Sequence, residues 1–271
     1  MSNASFFGPT AAELNFEKVQ LVLSALLQPR PTEESDTSKK IINQADRYKL
    51  DFEDVSLQIY QWGEADKTIL LVHGWESRAS HWHHWINPLI DAGYAVTALD
   101  LPAHGESSGS TANVIISGRA VLKLSGAMGS FDSIIGHSMG SAACLYAFAN
   151  GLSVRKSVHV AGPTSLGDVV QRAGQFAGLN SFELKLLLKE FQVSVDEPIE
   201  NMEMVSLCNG LNHAGLLLHD PLDKEVPIAN SRLLTDIWSK SHLVEVEGVG
   251  HRKIISDPLA IETAVNFLQN D

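Results

Sequence analysis

Apolar and polar positions alternate along residues 48–52 and again along 55–60. That is the two-residue period of strands with one buried face, and the two runs predict an antiparallel pair at a sheet edge. The pattern changes at 68–72, Thr-Ile-Leu-Leu-Val, a continuous apolar run of the kind found in strands covered on both faces. Residues 95–99, 133–135, 157–160, 216–218 and 243–246 repeat it more briefly. Helical stretches fall between these runs, at 82–92, 111–128, 138–150, 229–239 and 258–269. Alternating strands and helices predict the α/β class, with a mostly parallel eight-stranded sheet and helices on both faces. Ligands of such sheets sit at the carboxyl ends of the strands, so reactive residues are expected just after the apolar runs.

Two segments depart from the alternation. Residues 11–27 have the spacing of an amphipathic helix, and 28–40 hold two prolines and a polar cluster. Residues 1–45 are therefore expected to form an N-terminal helix and loop. Residues 164–212 contain two helical stretches, 166–176 and 182–191, and no clear strand. They are expected to form a small helical cap inserted over the same sheet edge, within a single domain spanning 1–271.

Composition narrows the partners. The 271 residues are 44% hydrophobic and 19% charged, an ordinary globular balance. A chain of this length buries roughly 70–75% of the surface its unfolded form exposes. The net charge of −12 argues against nucleic acid and against anionic membrane surfaces. No apolar run reaches the ~18 residues of a membrane span. The opening residues lack a basic segment followed by an apolar one, so no signal peptide is expected. Two cysteines, Cys144 and Cys208, are too few for a disulfide framework, although one bridge between them stays open. The default location is the cytoplasm. Nothing in the sequence speaks to oligomeric state.

The chemistry-bearing signal is Gly136-His137-Ser138-Met139-Gly140, which follows the apolar strand at 133–135 and opens a helix. A sharp strand-to-helix turn lifts a serine hydroxyl above the sheet, and side chains at the two flanking positions would collide. It also sets the serine at a helix N-terminus, where free N–H groups favour developing negative charge. A serine hydroxyl is a poor nucleophile at neutral pH and needs a base within reach. Of the 11 histidines, His251 fits best, because it follows the last strand in a glycine-rich loop.

The sequence resembles the α/β-hydrolase superfamily. The matching landmarks are His73-Gly74-Trp75, Asp100-Leu101-Pro102-Ala103-His104-Gly105-Glu106-Ser107, the Gly136–Gly140 turn, Asp220-Pro221-Leu222-Asp223-Lys224-Glu225-Val226-Pro227 and Gly248-Val249-Gly250-His251, in the family's order. The resemblance implies the α/β-hydrolase fold and a triad of Ser138, Asp223 and His251. Asp223 matches the family's acid, three residues before the Val of a Val-Pro pair. Asp220 is its rival and reads otherwise as a cap on the strand-end turn. The resemblance also implies an oxyanion hole made by the N–H groups of Met139 and Trp75. His73, Gly74, Glu76 and His137 are candidates for the substrate pocket, and His104 for a structural role. Leu166, Phe176, Leu187 and Phe191 of the cap are candidates for an acyl pocket.

Other signals carry less. The cluster His81-Trp82-His83-His84 lacks the Asp-His that would complete a metallo-hydrolase loop, and reads as a helix start. No phosphate-binding or dinucleotide-binding glycine loop occurs. No metal and no organic cofactor is expected. The expected activity is that of a serine hydrolase cleaving an acyl bond, a carboxylic ester first, in a small-molecule substrate through an acyl-enzyme. Carbon–carbon bond or thioester hydrolysis on the same fold is the alternative, and a non-catalytic ligand-binding member is a third.

Overall fold

The computed structural model describes residues 15–197, 203–208 and 210–270. The start of the expected N-terminal helix, 11–14, lies outside the described residues, as do 198–202 and 209 within the expected cap. The helix itself, α1, runs Phe16–Leu27, capped by the Asn15 side chain on the Lys18 N–H. A short helix α2, Asp36–Ile42, follows within the stretch expected to be loop. Its apolar Ile42 is buried and its N-cap Ser35 accepts from the Ser38 N–H, which holds a helix of about two turns.

Eight strands form one sheet in the order β1-β2-β4-β3-β5-β6-β7-β8. β1 (Asp46–Phe52) and β2 (Val55–Trp62) make the antiparallel edge pair that their alternation predicts. β2 is also antiparallel to β4 (Tyr94–Leu99). From β4 onward, β3 (Lys67–Val72), β5 (Ser133–His137), β6 (Lys156–Val160), β7 (Ala214–His219) and β8 (Ser241–Glu245) are all parallel. The chain returns from β3 to β4 on one side, then crosses to β5 on the other. The reversal of direction opens a crevice beyond the ends of β3 and β5, where such sheets hold ligands.

Two apolar clusters cover the two faces. Trp82, Trp85 and Leu89 beside and within α3 (His83–Asp91) join Ala260, Ile261 and Ala264 of α11 (Pro258–Gln269) on one. The other gathers α1, α4 (Val114–Met128) and α5 (Met139–Ala149) around Leu70, Val72 and Ile134. Cys144 and Cys208 are buried and unpaired.

Between β6 and β7 come α6 (Leu166–Phe176), α7 (Ser181–Val195) and the single turn α8 (Met204–Leu207). α7 is longer than its apolar spacing suggests, because the Asn180–Glu183 capping box starts it one residue early and its apolar stripe continues to Val195. α1 is fastened to this insertion. The Asn15 N–H donates to Glu183 at 2.9 Å, Lys18 Nζ donates to the Gly178 carbonyl at 3.0 Å, and Val19, Val22 and Leu23 share a core with Leu166, Val170 and Phe191. After β7 come α9 (Ala229–Ile237) and the turn α10 (Gly250–Lys253).

A polar thread runs through this core. His159 on β6 is buried, with Nδ1 2.8 Å from Ser141 Oγ and Nε2 3.1 Å from Ser157 Oγ. Burial disfavours its charged form and lowers its pKa to about 3. Unfolded, the same imidazole titrates near 6.5, so below that pH the unfolded chain binds the extra proton. The stability contributed by neutral His159 is thus present above pH ~6.5 and is lost as pH falls toward ~3. Each pH unit in that window costs about 1.4 kcal/mol per such histidine. Melting temperature is expected to fall steadily from pH 6.5 to 4, and His159→Gln to flatten that slope in thermal melts.

Candidate active site

Ser138 joins β5 to α5 and adopts φ 51°, ψ −120°, a region that residues with a Cβ rarely occupy. Its N–H is held by the Val160 carbonyl at 2.8 Å. The glycines on either side permit this turn. A Cβ on Gly136 would come within 2.7 Å of the Gly140 carbonyl oxygen, and one on Gly140 within 2.2 Å of the Val72 carbonyl oxygen. The helix therefore begins at Met139, and Ser138 is its N-cap rather than its first residue.

Three residues from distant parts of the chain converge on this turn. Ser138 Oγ lies 2.8 Å from His251 Nε2. His251 Nδ1 lies 2.7 Å from Asp223 Oδ2. Nδ1 donates to the carboxylate, which leaves the Nε2 lone pair facing the serine hydroxyl. The Asp223 side chain has no exposed surface. Burial alone would raise its pKa. Hydrogen bonds from His219 and His251, the field of His251 and the Val226 N–H overcome that and hold it below the usual carboxylate range. Its Oδ1 accepts from the N–H groups of Glu225 at 2.8 Å and Val226 at 2.9 Å.

Asp220 proves to be a brace. Oδ1 accepts from the Leu222 N–H at 2.8 Å, as a turn cap does, and Oδ2 accepts from the Gly250 N–H, next to His251. It thereby ties the end of β7 to the loop carrying the imidazole. His219, absent from the sequence reading, stands behind Asp223. Its Nε2 donates to the Val226 carbonyl at 2.9 Å and lies 3.4 Å from Asp223 Oδ2, while Nδ1 accepts from Ser231 Oγ at 2.7 Å. The available signal was a histidine ending an otherwise aliphatic strand.

The other expected site residues divide. The Met139 N–H, at the first position of α5, lies outside the helix's own ladder of bonds. Among the described residues neither it nor the Trp75 N–H donates to another group. Glu76 takes φ 47° and forms an ion pair with Arg30, Nε to Oε1 at 2.6 Å and Nη2 to Oε2 at 2.8 Å. His137 is buried, donates from Nε2 to the His251 carbonyl at 2.9 Å and lays its ring 5.2 Å from that imidazole. His104 Nε2 accepts from the Glu76 N–H at 3.2 Å, so its role beside Trp75 is structural.

Two cavities meet at Ser138, His251 and Trp75. The larger, about 620 Å³, is lined by Leu26, Val114, Leu166, Val170, Phe176 and Phe191 among others. The smaller, about 190 Å³, is lined by Glu76, Ser77, His81, His137, Glu225 and Arg252 among others. His73 and Gly74 border neither. The His73 imidazole is turned inward, where Nε2 accepts from the Leu101 N–H at 2.9 Å. Gly74 instead makes room, since a Cβ there would sit 3.0 Å from that of Ser138. Leu187 is also absent from the cavity, because it packs under α6 against Gly174. His81 bonds Ser77 Oγ and His83 the Ser80 carbonyl, so the histidine cluster fastens the start of α3.

A model of the alpha/beta hydrolase fold family matches residues 67–257. The chain belongs to the alpha/beta hydrolase family. An esterase from Pyrococcus furiosus superposes with a TM-score of 0.68 at 22% identity, over 89% of this chain and 98% of the esterase, which shows the shared fold. A 2-hydroxy-6-oxononadienedioate/2-hydroxy-6-oxononatrienedioate hydrolase from Pseudomonas putida is 27% identical over 216 residues, 72% of each chain. The dihydrolipoyllysine-residue acetyltransferase component of an acetoin cleaving system from Cupriavidus necator is 29% identical over 147 residues. That stretch is 51% of this chain and 37% of the acetyltransferase. As an alpha/beta hydrolase, the chain matches its family model from β3 to the loop before α11. The first 66 residues, including α1 and Arg30, stand outside the match. Among the described residues no helix is long and apolar enough to cross a membrane.

Proposed function

We propose that this alpha/beta hydrolase is a serine hydrolase that cleaves an acyl bond, a carboxylic ester first, through an acyl-enzyme. The observation that carries the reading is the unbroken line from Ser138 Oγ to His251 Nε2 and from Nδ1 to Asp223. His251 takes the hydroxyl proton as Ser138 attacks the carbonyl carbon, and the buried carboxylate stabilises the imidazolium that forms. The Met139 and Trp75 N–H groups receive the oxyanion, each worth about 3–4 kcal/mol of transition-state stabilisation. His251 passes its proton to the leaving oxygen. The same imidazole then activates water to release the acid. The two unpaired cysteines accord with action in the reducing cytoplasm.

Stopped-flow hydrolysis of a chromogenic butanoate ester tests this. A burst of about one alcohol equivalent per protein is expected before the steady state, as the acyl-enzyme fills. A linear trace from the first turnover, with deacylation shown to be slow, contradicts it. Carbon–carbon bond hydrolysis is the second reading, favoured by the similarity to the Pseudomonas putida hydrolase over most of both chains. Turnover of a 2-hydroxy-6-oxo dienoate faster than of any ester would replace the first reading with this one.

A further inference from the structure

We propose that the substrate is an ester of a medium-length aliphatic acid with a small neutral polyol, the acyl chain filling the larger cavity and the alcohol the smaller. The proposal rests on Ser138 acting as the nucleophile and adds what lies to either side of it.

Size sets the first constraint. The larger cavity, about 620 Å³, has roughly three times the volume of the smaller, about 190 Å³, so the two halves of the substrate are unequal in size. The walls set the second. The interior of the larger cavity is aliphatic and aromatic, and its cations, Arg172 and Lys224, are exposed at the edge. A saturated chain fits those walls, whereas a dicarboxylate would bury a charge against them. The smaller cavity sets charged and hydroxyl groups among the apolar surfaces of Trp75 and Ile255, and its charges are matched. Glu76 is held by Arg30 and Glu225 by Arg252. Neither a phosphate nor an ammonium finds an uncompensated counter-charge there. Carboxylate oxygens with spare lone pairs and the Ser77 hydroxyl suit neutral hydroxyl groups.

His251 borders both cavities, so the residues that flank the imidazole on each side place the two halves. The leaving oxygen must receive its proton from His251 Nε2. The smaller cavity is walled by His251 and its neighbour Arg252, by Ile255, and by His137, whose ring lies 5.2 Å from the imidazole and tilted 40° to it. An alcohol oxygen entering from there arrives on the imidazole side. The larger cavity is walled by Met139, an oxyanion donor, and there the carbonyl's other substituent, the chain, departs. Ester and water thus yield the free acid from the larger cavity and the polyol, carrying the former serine proton, from the smaller.

The N-terminal segment completes both walls. Leu26 borders the larger cavity directly, and Arg30 fixes the Glu76 side chain beside the smaller. Both residues precede the region matched by the family model, so these two contributions to the walls come from outside the matched region.

A matched pair of esters tests the assignment. Glycerol monodecanoate and decyl acetate, each below its micellar concentration, carry the long chain on opposite sides of the ester bond. The glycerol ester is expected to be cleaved with a kcat/KM at least about tenfold higher. Glycerol esters from butanoate to decanoate are expected to gain roughly 2- to 4-fold per added methylene. Leu166→Trp is expected to lower decanoate turnover more than butanoate turnover, removing the gain with chain length. Equal or faster cleavage of decyl acetate, or no dependence on acyl length, overturns the proposal. Fluorophosphonate labelling of Ser138 in the same preparation separates the two failures. If labelling persists, only the substrate class falls. If it is absent, the nucleophile falls with it.

Discussion

Ser138→Ala is expected to lower kcat for ester hydrolysis about a millionfold, to the residue left by binding and the oxyanion hole alone. The loss is large because in the proposed mechanism Oγ alone forms the covalent bond, and it is the hydroxyl that lies 2.8 Å from His251 Nε2. Fold should survive, since the alanine keeps the Cβ that the turn already accommodates. The strain gives an independent check. Ser138 holds φ 51°, a conformation costing of order 1–3 kcal/mol outside glycine. Ser138→Gly is therefore expected to lose activity equally while raising stability by about 1 kcal/mol in denaturant titration. An inactive but more stable protein marks a position where function is kept against fold. A Ser138→Ala protein retaining more than a hundredth of the wild-type rate would move the nucleophile elsewhere.

Asp223→Asn is expected to lower kcat about ten-thousandfold. The asparagine preserves shape, but its amide can present an N–H to His251 Nδ1. The imidazole then carries its proton on Nε2, pointing at Ser138 and unable to accept the hydroxyl proton. The buried position makes this severe, because no water replaces the lost carboxylate. The pKa of Asp223 is lowered, so its contribution to stability is present above the unfolded value near 4 and is lost only as pH falls through the lower folded value. The acid limb of the rate profile is accordingly not expected to report this carboxylate. Asp220→Asn should leave that limb in place, since Asp220 touches the backbone of the loop and not the ring. Steady-state rates across pH for the two variants distinguish the acid from the brace.

The sheet and its reactive turn were legible because they depend on local constraints. Aliphatic runs such as Leu70-Leu71-Val72 have only one place to go in an α/β chain. Gly136 and Gly140 mark a turn where backbone approaches backbone within the length of a Cβ. What stayed hidden depends on partners far away in sequence. Nothing local says that Arg30 meets Glu76, that Asp220 reaches Gly250, or that Asn15 meets Glu183 across 168 positions. Apolar periodicity marks Leu187 and Phe191 alike as inward-facing. Only the packing of α7 against Gly174 separates the one that supports α6 from the one that borders the cavity. The motif His73-Gly74 shows the same limit, since a histidine beside a reactive turn reads equally as ligand contact or as the clamp on Leu101 that it is.

Rapid-quench mass spectrometry during turnover of a butanoate ester tests the central claim most directly. The expected result is a transient butanoyl mass on the peptide containing Ser138, absent from His251→Ala. Steady ester hydrolysis with no acyl mass on that peptide, or with the mass on another residue, would contradict it.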